Sequence, residues 1–94
     1  MTAQILDGNA LSKKIRDDVT TRVAAMKLRG IAPGLAVVLV GSHQASEVYV
    51  KHKVADCESV GIKSVLDRHP ASVSQADLLA RITALNNDPT IHGI

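Results

Sequence analysis

Phenylalanine and tryptophan are absent from this 94-residue chain, and tyrosine occurs once, at Tyr49. Its core must therefore be built from valine, isoleucine, leucine, alanine and methionine, and there is no alternation of rings and basic residues on which a nucleic-acid strand could stack. Charge of one sign is scarce as well. Eleven Lys and Arg against nine Asp and Glu leave +2, and the densest basic pairs, Lys13-Lys14 and Lys51/Lys53, do not make the stripe of a nucleic-acid binder. Cys57 is the one cysteine, which excludes an internal disulfide and a multi-cysteine zinc site and fits a reducing compartment. No apolar run approaches the roughly 18 residues that span a bilayer, and the N-terminus lacks the charged-then-apolar pattern of a secretory signal. The expectation is a cytoplasmic protein with neither nucleic acid nor membrane as a partner. A single unit of this length buries only about 60 to 65% of its unfolded surface, so its stability margin is thin.

What is present is organised around the apolar run Leu35–Val40 and the stretch that follows, Gly41-Ser42-His43-Gln44-Ala45-Ser46-Glu47-Val48-Tyr49-Val50-Lys51-His52-Lys53. A continuous β-branched run bounded by glycine predicts a strand covered on both faces. A helix follows from Gln44 or Ala45 to about Ser59, stopped by Gly61, with Val50, Val54 and Cys57 as its apolar stripe. Upstream, Leu11, Ile15, Val19, Val23 and Met26 recur at helical spacing, which predicts an amphipathic helix from Ala10 to about Leu28 with Asp7-Gly8-Asn9 to cap it. Its Lys13, Lys14, Arg16, Asp17, Asp18 and Arg22 face reads as solvated. Downstream, Ile62–Arg68 is a weaker strand. Ser74-Gln75-Ala76-Asp77 then caps a third helix carrying Leu78, Leu79, Ile82 and Leu85. Thr90–Ile94 reads as the start of a third strand. The order predicts an α/β fold, a three-layer βαβαβ parallel-sheet unit. Its final strand has no room to feed a functional loop, so the sequence reads as a fragment.

In such folds ligands sit where strands empty into helices. Ser46, Tyr49 and Lys53 stand at i, i+3 and i+7 on one helix face, so a hydroxyl, a ring and an amine point the same way. A lysine works in acid–base chemistry near neutrality only if its ammonium is destabilised by about 3 kcal/mol. Lys53 lies too deep in its helix for the dipole to supply this, which leaves burial beside Tyr49 or the neighbouring Lys51. The same spacing also arises by chance on a solvated face. His43, His52, His69 and His92 never stand at i, i+4, so no metal is expected. Cys57 falls on the apolar stripe and reads as a core residue. There is no Gly-x-Gly-x-x-Gly and no Gly-Lys-Ser/Thr loop, hence no nucleotide site in these residues.

The block Val40-Gly41, Ala45-Ser46-x-x-Tyr49-Val50-x-x-Lys53, Gly61-Ile62, Leu85-Asn86-x-Asp88 and His92-Gly93-Ile94, together with the opening Ile5-Leu6-Asp7-Gly8, resembles the bifunctional methylenetetrahydrofolate dehydrogenase/methenyltetrahydrofolate cyclohydrolase family. The resemblance runs the length of the chain. It implies an incomplete N-terminal catalytic domain of a two-domain enzyme, with residues 1–94 forming part of the folate-binding domain and a Rossmann domain for NADP lying outside them. The implied reactions are oxidation of methylene-tetrahydrofolate to methenyl-tetrahydrofolate and its hydrolysis to formyl-tetrahydrofolate, within one-carbon metabolism, by a cytoplasmic homodimer. Residue by residue, Lys53 resembles the catalytic lysine and Tyr49 the ring that stacks on the pterin. Tyr49, Val50, Lys51, His52 and Lys53 resemble the substrate-binding segment, with Ser46 orienting Lys53 or the substrate. Family members carry Gln-Leu-Pro and a later Asp segment beyond the last motif, and neither is in these residues. The resemblance therefore implies that this chain by itself is inactive.

Two other readings stand beside it. Tyr49-x-x-x-Lys53 fits the short-chain dehydrogenase pattern, though without the glycine-rich loop that pattern expects upstream. A non-catalytic α/β module, binding a partner through an open sheet edge, would be indifferent to changes at Tyr49 and Lys53.

Overall fold

The structure, a computed structural model, describes residues 2–94. Asp7 starts the first helix: its carboxylate accepts hydrogen bonds from the Asn9 and Ala10 amides at 3.0 and 3.3 Å, satisfying donors that a helix N-terminus leaves free. Helix α1 runs Gly8–Leu28. It closes where Gly30 adopts φ 79° and the Gly30 and Ile31 amides return to the carbonyls of Lys27 and Met26. Strand β1 (Gly34–Val40), helix α2 (Gln44–Val60), strand β2 (Lys63–His69) and helix α3 (Gln75–Asn86) follow. Gly61, at φ 91°, ends α2. The Ser74 hydroxyl caps α3 by accepting from the Asp77 amide at 3.1 Å.

β1 and β2 pair in parallel from Gly34↔Lys63 to Val40↔His69. Which helix covers which face follows from β2, because consecutive strand residues point to opposite faces. Arg68 is bonded to Glu47 of α2, and Asp67 to Arg81 of α3, so α2 and α3 lie on opposite faces. Three layers result, α–β–α. The register puts Leu35, Val37 and Leu39 on the α2 face with Arg68, and Ala36 and Val38 on the α3 face with Asp67.

The expected third strand reduces to one parallel bridge, Leu35↔Gly93, on the edge of β1 away from β2. The reason is local. Asp88 accepts from both the amide and the hydroxyl of Thr90, at 2.8 and 2.7 Å, and the Ile91 amide turns back to the Asp88 carbonyl. Residues 88–91 are thus spent in a turn before pairing can begin. β1 is nevertheless the central element, with β2 on one side and residues 92–93 on the other.

The buried residues are Val23, Ala36, Leu39, Val50, Val60 and Leu85, all aliphatic, each full-sized one contributing about 1.5 to 3 kcal/mol. Of the predicted stripe on α1, only Val23 is buried, while Leu11 and Ile15 are 59% and 54% exposed. α1 packs on α2, where Val23 lies against Gly61, and the N-terminal part of the stripe is left open. The radius of gyration, 16.9 Å, exceeds the roughly 12 Å of a compact chain this size, in keeping with extents of 58 × 37 × 18 Å. The expectation that β1 is covered on both faces holds at Ala36 and Leu39. Leu35, Val37 and Val38 remain half-buried, because a groove opens beside them.

Candidate functional site

At the carboxyl end of β1 the chain leaves the sheet through Gly41. Its amide still reaches the His69 carbonyl at 2.9 Å, and its φ of 78° is open to glycine at little cost. β2 and residues 92–93 lie on opposite sides of β1, which makes this the point where the strand order reverses and where a crevice forms in open α/β sheets. The crevice is present as a groove of about 580 Å³ between β1 and the first turns of α2, with Ile94 in its wall. That volume suits a small molecule.

α2 gives the groove its chemistry. Ser46, Tyr49, Val50 and Lys53 all line it, as one helix face must at those spacings. Val50 is buried and anchors the helix, Lys53 and Ser46 are half-buried, and Tyr49 is 64% exposed. The Lys53 ammonium stands 4.8 Å from the centroid of the Tyr49 ring, within the range of a cation–π contact. Leu35, Val37 and Leu39 supply an aliphatic floor. A flat ligand laid on this floor would have a ring to stack on and an amine at its edge.

The remaining members of the expected binding segment point elsewhere. Lys51 lines a separate hollow with Glu47, Leu66 and Arg68, and His52 is exposed and lines neither. A helix turns about 100° per residue, so a contiguous segment cannot present every side chain to one groove. Ser46 makes no hydrogen bond to Lys53 among the described residues, so its place in the wall suits contact with a ligand better than orientation of the lysine.

Around the groove, ion pairs hold the layers together. Arg68 donates two bonds to Glu47, at 2.6 and 2.8 Å; this fork holds the Glu47 carboxyl below its usual range and pushes the Arg68 guanidinium up. On the opposite face, burial works to raise the Asp67 carboxyl, but hydrogen bonds to His69 at 2.9 Å and Arg81 at 2.6 Å outweigh it and hold Asp67 below the ordinary value. The Cys57 thiol is pushed up, first by burial and then by Asp56. It is half-buried, consistent with a packing role.

Among the groove residues that sequence reasoning missed are His43 and Ile94. His43 is one i, i+3 step before Ser46 and was within reach of the face argument. Ile94 had no local signal, because it arrives through tertiary pairing.

Fold and groove together define an α/β unit with a groove at the topological switch of its parallel sheet. Residues 6–94 match the family described as tetrahydrofolate dehydrogenase/cyclohydrolase, catalytic domain, and the chain belongs to that family. It is 63% identical over 94 residues to a bifunctional protein FolD of Polaromonas naphthalenivorans and 63% identical to one of Acidovorax ebreus, covering all of this chain and 34% and 33% of theirs. Among solved structures, the Campylobacter jejuni FolD methylenetetrahydrofolate dehydrogenase/cyclohydrolase superposes with a TM-score of 0.94 at 44% identity, over 97% of this chain and 32% of that one. The Trypanosoma brucei enzyme, solved with NADP cofactor and inhibitor, gives 0.90 at 30% identity over 98% and 32%. The chain thus spans about a third of the length of the curated relatives it matches. Family membership removes the short-chain dehydrogenase alternative.

Proposed function

We propose that this chain supplies the folate-binding groove of a bifunctional methylenetetrahydrofolate dehydrogenase and methenyltetrahydrofolate cyclohydrolase, as part of its N-terminal domain. The observation that carries this is the Lys53 ammonium set 4.8 Å from the Tyr49 ring, inside a groove of small-molecule size. Tyr49 offers a face to the planar pterin. The aliphatic residues of β1 exclude water from its other side, and Ser46 contacts the substrate.

Hydrolysis is the step these residues can serve. Water adds to the methenyl carbon and one of its protons leaves as the carbon–oxygen bond forms; a carbon–nitrogen bond then opens, the freed nitrogen taking up the hydroxyl proton as the formyl C=O forms. A neutral Lys53 amine at the groove edge can take the proton.

The oxidation step would need NADP as its hydride acceptor. The described residues do not fit it. The β1–α2 turn contains one glycine, Gly41, and His43 occupies the helix N-terminus where a pyrophosphate would need small residues and free amides. NADP binding is therefore assigned to a domain outside these residues, and no hydride step is routed through them. The same proposal places the enzyme in the cytoplasm as a homodimer; no helix among the described residues is long and apolar enough to cross a membrane.

The test is Lys53→Met in the longest product of this gene. Loss of methenyl-tetrahydrofolate hydrolysis from a folded protein is expected, and near-normal turnover would sink the assignment. Folded protein without activity in either form would favour a non-catalytic binding module.

A further inference from the structure

A parallel ladder supplies each strand amide with a carbonyl from its neighbour. Gly34, at the start of β1, departs from this, because its amide donates to the imidazole Nδ1 of His92 at 3.0 Å. The Gly34 carbonyl in turn accepts from the His92 and Gly93 amides at 2.8 and 3.3 Å, and the Ala36 amide donates to the Gly93 carbonyl at 2.9 Å. Of the bonds that hold residues 92–93 on β1, one is made by a side chain. The approach is close, since a Cβ added to Gly34 would overlap the Thr90 carbonyl oxygen. Two residues further on, Ile94 enters the groove wall.

An imidazole that accepts at Nδ1 is neutral and carries its proton on Nε2, whereas the protonated ring has an N–H on both nitrogens. Protonation would set two donors against each other, and this bond would be lost outright. The ionisable groups around the ring are Lys63 of β2, which shares a hollow with His92, Ile31 and Pro89, and Asp88 in the turn after α3. The Asp88 carboxylate is held ionised first by the Thr90 hydroxyl and amide, then by Lys63 and by Arg81 of α3. The connection formed by Gly30, Ile31 and Ala32 brings none.

We propose that His92 is a positioning residue for the groove: its neutral imidazole holds residues 92–94 in register on β1 so that Ile94 forms the wall, and protonating the ring releases that wall. The ligand's identity rests on the folate proposal above; the latch rests on the hydrogen bonds alone.

Nuclear magnetic resonance of the longest product of this gene, isotopically labelled, tests it between about pH 5 and 8, the range in which histidine changes charge. At the alkaline end, His92 Nδ1 is expected to show the nitrogen shift of an unprotonated acceptor. The Gly34 amide should exchange about three- to tenfold more slowly than in His92→Leu, as one hydrogen bond warrants. On acidification that protection should fall along the His92 titration curve. His92→Asn, whose side-chain oxygen can accept without titrating, should keep Gly34 protected throughout. Gly34 exchange that ignores the His92 titration, or an Asn variant as pH-sensitive as the parent, overturns the latch. The second readout is binding of 5-formyl-tetrahydrofolate, followed by calorimetric titration. It should weaken by the same three- to tenfold in the parent and stay flat in His92→Asn. Failure of the probe to bind at any pH, with Gly34 still following His92, overturns the folate site and with it the positioning role, so the two failures are told apart.

Discussion

Lys53 and Tyr49 stand one helical turn apart on the groove face of α2, with the ammonium 4.8 Å from the ring centroid. The contact is made by two residues whose spacing alone brings them together. It holds an amine beside an aromatic face on the groove side of the helix. Because Tyr49 is largely exposed while Val50 beside it is buried, the pair can be altered without disturbing the packing of the helix.

Lys53→Arg separates charge from proton transfer. A guanidinium keeps the cation over the ring but stays protonated in proteins, so it cannot accept a proton from water. In the longest gene product, folate affinity is expected to stay within about threefold, while methenyl-tetrahydrofolate hydrolysis falls by about 10² to 10⁴. Single-turnover absorbance decay of the methenyl substrate measures the second, and calorimetric titration the first.

Tyr49→Leu removes the stacking face. A ring–ring contact and its cation partner together are worth roughly 1 to 2 kcal/mol, so folate dissociation constants should rise about five- to thirtyfold. Folding stability should change by no more than about 0.5 kcal/mol, as for other exposed positions. Urea denaturation followed by circular dichroism checks the latter, and a large loss of stability would mean that the ring belongs to the core.

Asp67 joins β2 to α3 through Arg81, and its carboxyl is held below the ordinary value. A carboxylate whose folded pKa is depressed contributes stability that is present above the unfolded value, near 4, and lost as pH falls through the folded one. Asp67→Asn should therefore unfold at lower urea concentration than the parent at pH 6 and converge with it in strong acid. Parallel denaturation curves at a series of pH values give the comparison. A difference that persists unchanged at the lowest pH would show that packing, and not charge, is what Asp67 provides.

Gly34→Ala should detach residues 90–94 from β1. The added methyl overlaps the Thr90 carbonyl oxygen, a backbone atom that cannot rotate away. Exchange of the Ala36 amide, bonded to Gly93, should accelerate by about tenfold or more, while amides of the β1–β2 ladder keep their protection. Gly8→Ala is the control, since its Cβ would meet nothing within 4 Å.

Much of this molecule was legible in its residues. Asp7 and Ser74 cap the helices they were expected to cap, and Gly30 and Gly61 end theirs in the left-handed conformation. These are one-turn effects, decided by atoms a few residues apart. The exposure of Leu11 and Ile15 on α1 was not legible, because they obey the same periodicity as Val23 and differ only in whether another element lies beneath them. Nor was the collapse of the third strand to a bridge, which depends on how Asp88 folds the chain back on Thr90.

The sequence by itself determined that a ring, a hydroxyl and an amine would share a helix face behind a buried strand, since the pitch of an α-helix needs no partner to set it. Tertiary structure alone decided that Ile94 walls that site and that the His92 ring bonds an amide 58 residues away. Contacts across such distances are made only once the sheet has assembled, after the entropy of closing the loop has been overcome, and no local pattern records them.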